Sequence, residues 1–169
     1  MTSPTSTPAP PIPWPDATRH AAFNRWIGSI APAHGLQLDS LAPASADASF
    51  RRYLRVQTRS GSCIVMDAPP PQEDVRPFVQ VAAWIGEAGL NGPRVLACDP
   101  VQGFVLLSDL GHALYLEELQ RCNAARADAL MRDAITALLR WQQHMPAQAL
   151  PPYDEALLAR ELALFPQWC

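Results

Sequence analysis

Charge is scarce in this chain, and cysteine is scarcer. Asp, Glu, Lys and Arg make up 17% of the residues and the formal net charge is −3, so no whole-chain basic field exists to hold nucleic acid. The four cysteines, Cys63, Cys98, Cys122 and Cys169, stand far apart without a C-x-x-C pair. That spacing argues against a zinc framework and reads as reduced thiols of a cytoplasmic protein, mostly core fillers. No apolar run reaches the ~20 residues that a membrane-spanning helix requires. The phosphate-loop pattern G-x-G-x-x-G is missing. So is any His-x-Asp: the residues two positions after His20, His34, His112 and His144 are Ala22, Leu36, Leu114 and Pro146.

What is present fits a folded unit. Hydrophobic residues are 49% of 169, enough for one domain or for one domain and part of another. Residues 1–15 are rich in Ser, Thr and Pro, lack the basic start and apolar centre of a secretory signal, and read as a disordered leader. Asp16 then suits a helix cap, and Phe23, Trp26, Ile27 and Ile30 recur at i, i+3, i+4, i+7 as one apolar stripe ending near Gly35. Leu36, Leu38 and Leu41 predict a first strand. Residues 43–49 are small and polar and predict a loop. Phe50 to Gln57 and Cys63 to Met66 predict a hairpin across Thr58-Arg-Ser-Gly-Ser62, and Pro69-Pro-Pro71 must end its second strand. Gln72 to Ala88 predicts a helix with Phe78, Val81, Ala82 and Ile85 on one face. Two strands follow, at Val95–Cys98 and Phe104–Leu107. From Tyr115 onward the periodicity is helical, with Leu130, Ala134, Leu138 and Trp141 on one helix and a second from Tyr153 to Leu164. Strands first and helices last predict an α+β chain of two lobes.

Two segments have the make-up of a nucleotide site. In Ala44-Ser-Ala-Asp-Ala-Ser-Phe50, small residues let backbone N–H groups approach phosphates, and Ser45 and Ser49 add hydroxyl donors; the plainer reading is an ordinary connection between strands. In Phe104-Val-Leu-Leu-Ser-Asp-Leu-Gly111, apolar side chains precede a short polar segment whose backbone offers a base edge one donor and one acceptor. The basic cluster Arg51, Arg52 and Arg55 serves equally as a phosphate site or as a solvated strand face. Asp154, Glu155 and Glu161 read as a solvated helix face.

Taken in order, the loop, hairpin, proline break, helix, strand and hinge resemble the aminoglycoside phosphotransferase family, and within it the bacterial anomeric kinases of N-acetylmuramate and N-acetylglucosamine. The segments that carry the likeness are Ala46-Asp-Ala-Ser-Phe-Arg-Arg-Tyr53, Ile64-Val-Met-Asp-Ala-Pro-Pro70, Arg76-Pro-Phe78, Leu106-Leu-Ser-Asp-Leu-Gly111 and Leu150-Pro-Pro-Tyr-Asp-Glu-Ala-Leu-Leu157 with Glu161-Leu-Ala-Leu-Phe-Pro166. The resemblance implies a protein-kinase-like ATP-binding N-lobe with its hinge at 16–111 and the start of a helical C-lobe, cut short, at 112–169. It implies ATP and Mg²⁺ as cofactors and an amino sugar as substrate. It places Ser45, Ser49, Phe50 and Arg51 around the ATP phosphates, Ser108, Asp109 and Leu110 at the adenine edge, and Phe104 and Leu106 in the apolar floor.

Two departures qualify the transfer. Such enzymes carry a Lys or Arg on the third strand to hold the α- and β-phosphates, whereas Ile64-Val-Met-Asp67 offers Met66 or Asp67. Arg51, Arg52 or Arg76 is left to supply the charge, and Glu73 and Glu87 read as solvated. The catalytic His-x-Asp loop and the metal-binding Asp are also missing, so the expectation is a nucleotide-binding fragment that does not catalyse unaided. It would associate with itself or with a separately encoded C-terminal half. The alternative is a non-catalytic protein-interaction module.

Overall fold

The computed structural model describes residues 12, 14–46, 50–145 and 150–168, with side chains omitted at 45, 46 and 165–168. Ser49 therefore lies outside the described residues, as does most of the leader. The elements run α1 (Ala17–His34), β1 (Gln37–Ala46), β2 (Arg52–Thr58), β3 (Gly61–Asp67), α2 (Arg76–Glu87), β4 (Val95–Asp99), β5 (Phe104–Ser108), α3 (Tyr115–Arg121), α4 (Ala124–His144) and α5 (Glu155–Trp168). The five strands form one antiparallel sheet in the order β1-β2-β3-β5-β4. The chain is α+β.

α1 starts where the sequence places its cap. Asp16 Oδ1 accepts from Arg19 N at 2.7 Å, which satisfies one orphan donor and contributes about 1 kcal/mol. Phe23 and Ile27 of the predicted stripe are fully buried, and Gly35 ends the helix in the left-handed region at φ 62°. Ile12 and Trp14, which the sequence reading assigns to the leader, pack against the α1 core instead; Trp14 stacks on His20 with centroids 4.8 Å apart. β1 extends through Pro43–Ala46, where a loop is expected, pairing Pro43 with Leu54 and Ser45 with Tyr53. A proline is tolerated there because β1 is an edge strand with register shifts on either side of Ala42–Pro43. Of the cysteines, Cys63 alone is buried among those described; Cys98 is exposed and Cys122 intermediate, so the core-filler reading holds for one of three.

The sheet is covered on both faces. Leu54, Val56, Val65, Phe104 and Leu106 point to α1 and meet Phe23 and Ile27. Met66, Val105 and Leu107 point the other way, where Val75 and Phe78 close over them. Strand alternation thus sorts adjacent residues into separate cores. Gly103 lets the β4–β5 turn reach β3's exit: it is at φ 70°, and a Cβ there would sit 1.9 Å from the Ala68 carbonyl oxygen.

Asp67 ends β3 on the α1 face, 1% exposed. Its two carboxylate oxygens are taken by separate arginines, Arg19 of α1 and Arg52 of β2, each through Nε and Nη2. Arg19 also donates to the Gln102 carbonyl at 2.6 Å and lies 4.0 Å over the Phe104 ring, while Arg52 lies 4.3 Å over Trp14. A buried carboxylate with this many charge-assisted bonds joins α1, β2, β3 and the β4–β5 turn. Removing it leaves two guanidinium groups facing an apolar core. Asp67→Ala should therefore destabilise the fold by roughly 3–5 kcal/mol, read as a lowered urea midpoint at unchanged slope. A loss below about 1 kcal/mol, the ceiling for an exposed pair, would show that the cluster is no more than a surface contact.

Candidate nucleotide site

The cleft lies on the α2 face. β2 contributes Tyr53 and Arg55, β3 Ile64, β5 Leu107 and α2 Phe78, and the segment Ser108–His112 forms the rim of a hollow of about 440 Å³. Its walls are apolar and aromatic and its rim is backbone and charge, the pattern of a small-molecule site. A second hollow of about 510 Å³ lies at the other side of the same rim, lined by His34, Ser62, Arg94 and neighbouring polar residues. Leu96 is its one aliphatic wall residue, against Ile64, Leu107, Leu110 and Leu114 with Tyr53 and Phe78 on the α2 face, so the α2-face cleft is the better candidate for a base.

The residues expected from sequence divide by strand parity. Leu110, Ser108 and Asp109 border the cleft. Phe104 and Leu106 do not. Both are buried on the opposite face, Phe104 edge-on to Phe23 at 5.5 Å, and Leu107 and Ile64 take the wall positions assigned to them. Phe50 is 66% exposed. Ser45 is paired within β1 rather than standing in a loop. Met66 is wholly buried beneath Val75 and Val105, and Asp67 is on the α1 face, so neither residue offered by the third strand reaches the cleft.

The rim is held by Asp109. Arg55 donates through Nε at 2.5 Å and through Nη2 at 3.2 Å; Ser62 Oγ donates at 2.7 Å, and Gly111 N at 2.8 Å. His112 Nδ1 lies 3.2 Å from Arg55 Nη1. Asp109 thus works as a brace for the hinge, with its carboxylate turned to the protein. The hydrogen bonds from Arg55, Ser62 and the Gly111 amide outweigh the cost of partial burial and hold its pKa far below the usual carboxylate range. The Ser108 N–H donates to the Arg94 carbonyl at 2.9 Å, and the Arg94 N–H binds the Ser108 hydroxyl at 2.9 Å rather than the Ser108 carbonyl. Of the two backbone groups expected at a base edge, the Ser108 N–H is thereby taken by Arg94, just before β4.

One pair was passed over in the sequence. Glu73, just before α2, accepts from Arg51 Nε at 2.7 Å and is 12% exposed, so it is not the solvated carboxylate expected. The hydrogen bond that Arg51 donates to Glu73, and a weaker one with Tyr53, raise the Arg51 pKa against the lowering effect of burial. The usable signal was the spacing of an arginine at the mouth of the hairpin and a glutamate at the mouth of the next helix. Glu87 is exposed, as expected, and Arg76 pairs with Asp74 in solvent. Among the described residues no three His, Cys, Asp or Glu side chains converge to cage a metal ion. No helix among them is long and apolar enough to cross a membrane.

The sign of the Asp109 effect follows from its lowered pKa. The stabilisation is complete above the unfolded carboxylate value of about 3.9 and is lost as pH falls from there toward the lower folded value. Acid titration of the melting temperature should therefore be steeper below about pH 4 for the parent chain than for Asp109→Asn. Parallel acid limbs for the two would mean that the brace is not formed in solution.

Comparison with known proteins agrees with this architecture. Residues 40–169 match the model of a phosphotransferase enzyme family. An N-acetylmuramate/N-acetylglucosamine kinase of Pseudomonas aeruginosa is 49% identical over 160 residues, covering 90% of this chain and 46% of the relative. The same-named kinase of Pseudomonas putida is 50% identical over 129 residues, covering 76% and 37%. That of Neisseria meningitidis is 36% identical over 152 residues, covering 89% and 44%. The chain spans less than half the length of these relatives. With a family model matched over most of its residues and an antiparallel five-stranded sheet, the chain belongs to the phosphotransferase enzyme family.

Proposed function

We propose that this chain is the nucleotide-binding part of an ATP-dependent kinase that phosphorylates the anomeric hydroxyl of an amino sugar, N-acetylmuramate or N-acetylglucosamine. The observation that carries the reading is the α2-face cleft, with Ile64 and Leu107 as its apolar wall and the braced Ser108–Gly111 segment as its rim. In this reading adenine lies against that wall, and the Leu110 amide and Ser108 carbonyl serve its edge. The phosphates run along β2 toward Arg51. Residues 16–111 act as the N-lobe, and the helices from 112 onward begin the C-lobe.

Phosphoryl transfer also needs a carboxylate to orient the acceptor hydroxyl and ligands for Mg²⁺, which neutralises the developing charge. The histidines of this chain supply no His-x-Asp loop. The 169 residues should bind nucleotide without transferring phosphate. ATP with Mg²⁺ at about 100 times its Kd should stabilise the fold by roughly 2.7 kcal/mol, a rise of several degrees in Tm. No sugar phosphate should form. A Tm indifferent to millimolar ATP counts against nucleotide binding, and turnover by the chain alone counts against the division of labour.

A second reading, that the helices form an association surface, is favoured by α4 and α5. Met131, Ile135 and Leu138 recur on one side of α4 at 43%, 56% and 53% exposure. Leu158 and Leu162 lie one turn apart on α5, 44% and 66% exposed. Such stripes ordinarily face a partner. Sedimentation velocity should show concentration-dependent self-association that Ile135→Glu with Leu138→Glu abolishes. A monomer at all concentrations would remove this reading.

A further inference from the structure

The chain contains no lysine: its 13 basic residues, His aside, are all arginine. If nucleotide is held here, the permanent cation that this chain can offer its α- and β-phosphates is an arginine. The structure separates the three candidates that sequence leaves open. Arg52 is committed to Asp67 and stacked over Trp14 on the α1 face, behind the sheet. Arg76 is 78% exposed and paired with its near neighbour Asp74. Arg51, just before β2, is on the α2 face with Tyr53 and Arg55, the two β2 residues that line the cleft: it hydrogen-bonds Tyr53 and packs beside Phe78 and Pro93.

Its position along that row is also apt. At ~3.3 Å per residue, Arg51 stands about 13 Å from Arg55, farther from the hinge, in the direction a nucleotide's phosphates extend. Arg51 lines a smaller hollow of about 290 Å³ that shares Phe78 and Pro93 with the main cleft. Arg55, the other arginine of the row, is held by Asp109 at the hinge. Glu73 takes Arg51 Nε and Tyr53 hydrogen-bonds the same side chain, which together hold the guanidinium beside a lining residue of the cleft.

We infer that Arg51, oriented by Glu73, is the phosphate-binding cation of this site, and that the pair does from the segments just before β2 and α2 what the buried Met66 of β3 does not. The inference rests on the nucleotide reading above and adds to it which residue meets the phosphates. Glu73 is then a positioning residue, which acts through Arg51.

The test compares ATP with adenosine by calorimetric titration of the whole chain, parent and variants. The parent should bind ATP more tightly than adenosine. Arg51→Ala should weaken ATP by about tenfold or more and leave adenosine unchanged. Arg51→Lys should recover part of the preference and Arg76→Ala should retain all of it. Arg51→Gln, close to arginine in length and uncharged, gives the same comparison should the alanine variant fail to fold. Equal weakening of ATP and adenosine would make Arg51 a packing residue and overturn the inference while the cleft stands. A parent that binds adenosine as tightly as ATP overturns it too. Failure of the parent to bind either ligand removes the nucleotide reading and this inference with it.

Discussion

Asp67 is the point on which the rest of the architecture leans. A carboxylate at 1% exposure is tolerable only if its charge is met, and here two arginines meet it, one from α1 and one from the strand paired beside it. Arg19 ties α1 across the end of the sheet, and Arg52 ties the opening of β2 to the end of β3. Each guanidinium then lies on an aromatic ring, so the ion cluster and the apolar core of that face are one structure. With α1 fixed over one face, the other is left to α2 and the cleft.

A second, smaller brace governs the site. Asp109 fastens the hinge to Arg55 in mid-β2 and to Ser62 on β3. The open end of the β2–β3 hairpin and its middle thus each carry an arginine–carboxylate tie, one holding the scaffold and one shaping the rim. The Arg51–Glu73 pair adds a third tie, from the sheet to the entry of α2. Three carboxylates and four arginines account for how a sheet with little charge on it keeps its helices in register.

Much of this was readable in order along the chain. The α1 stripe, its Asp16 cap and the Gly35 stop are local features whose physics involves neighbours one helical turn apart. The hairpin and the hinge segment were likewise visible from turn chemistry and apolar runs. Strand facing was not. Phe-Val-Leu-Leu from Phe104 to Leu107 is apolar throughout and wholly buried, because β5 is covered on both sides. Without a polar alternation nothing local marks which residues look toward α1, and Phe104 and Leu106 were assigned to the wrong face. The same loss of contrast lets Met66 pass as a site residue.

Most element types, the α+β class and the family likeness follow from residue order alone, since these rest on short-range periodicity, caps and ordered motifs. Only the tertiary structure decided which arginine meets which carboxylate. Arg19 and Asp67 are 48 residues apart and Arg55 and Asp109 are 54 apart, and a chain with 13 basic and 16 acidic residues permits many such pairings. Burial selects among them: a charge taken out of water must be matched within hydrogen-bond reach, and that reach exists only once the sheet has brought its strands together.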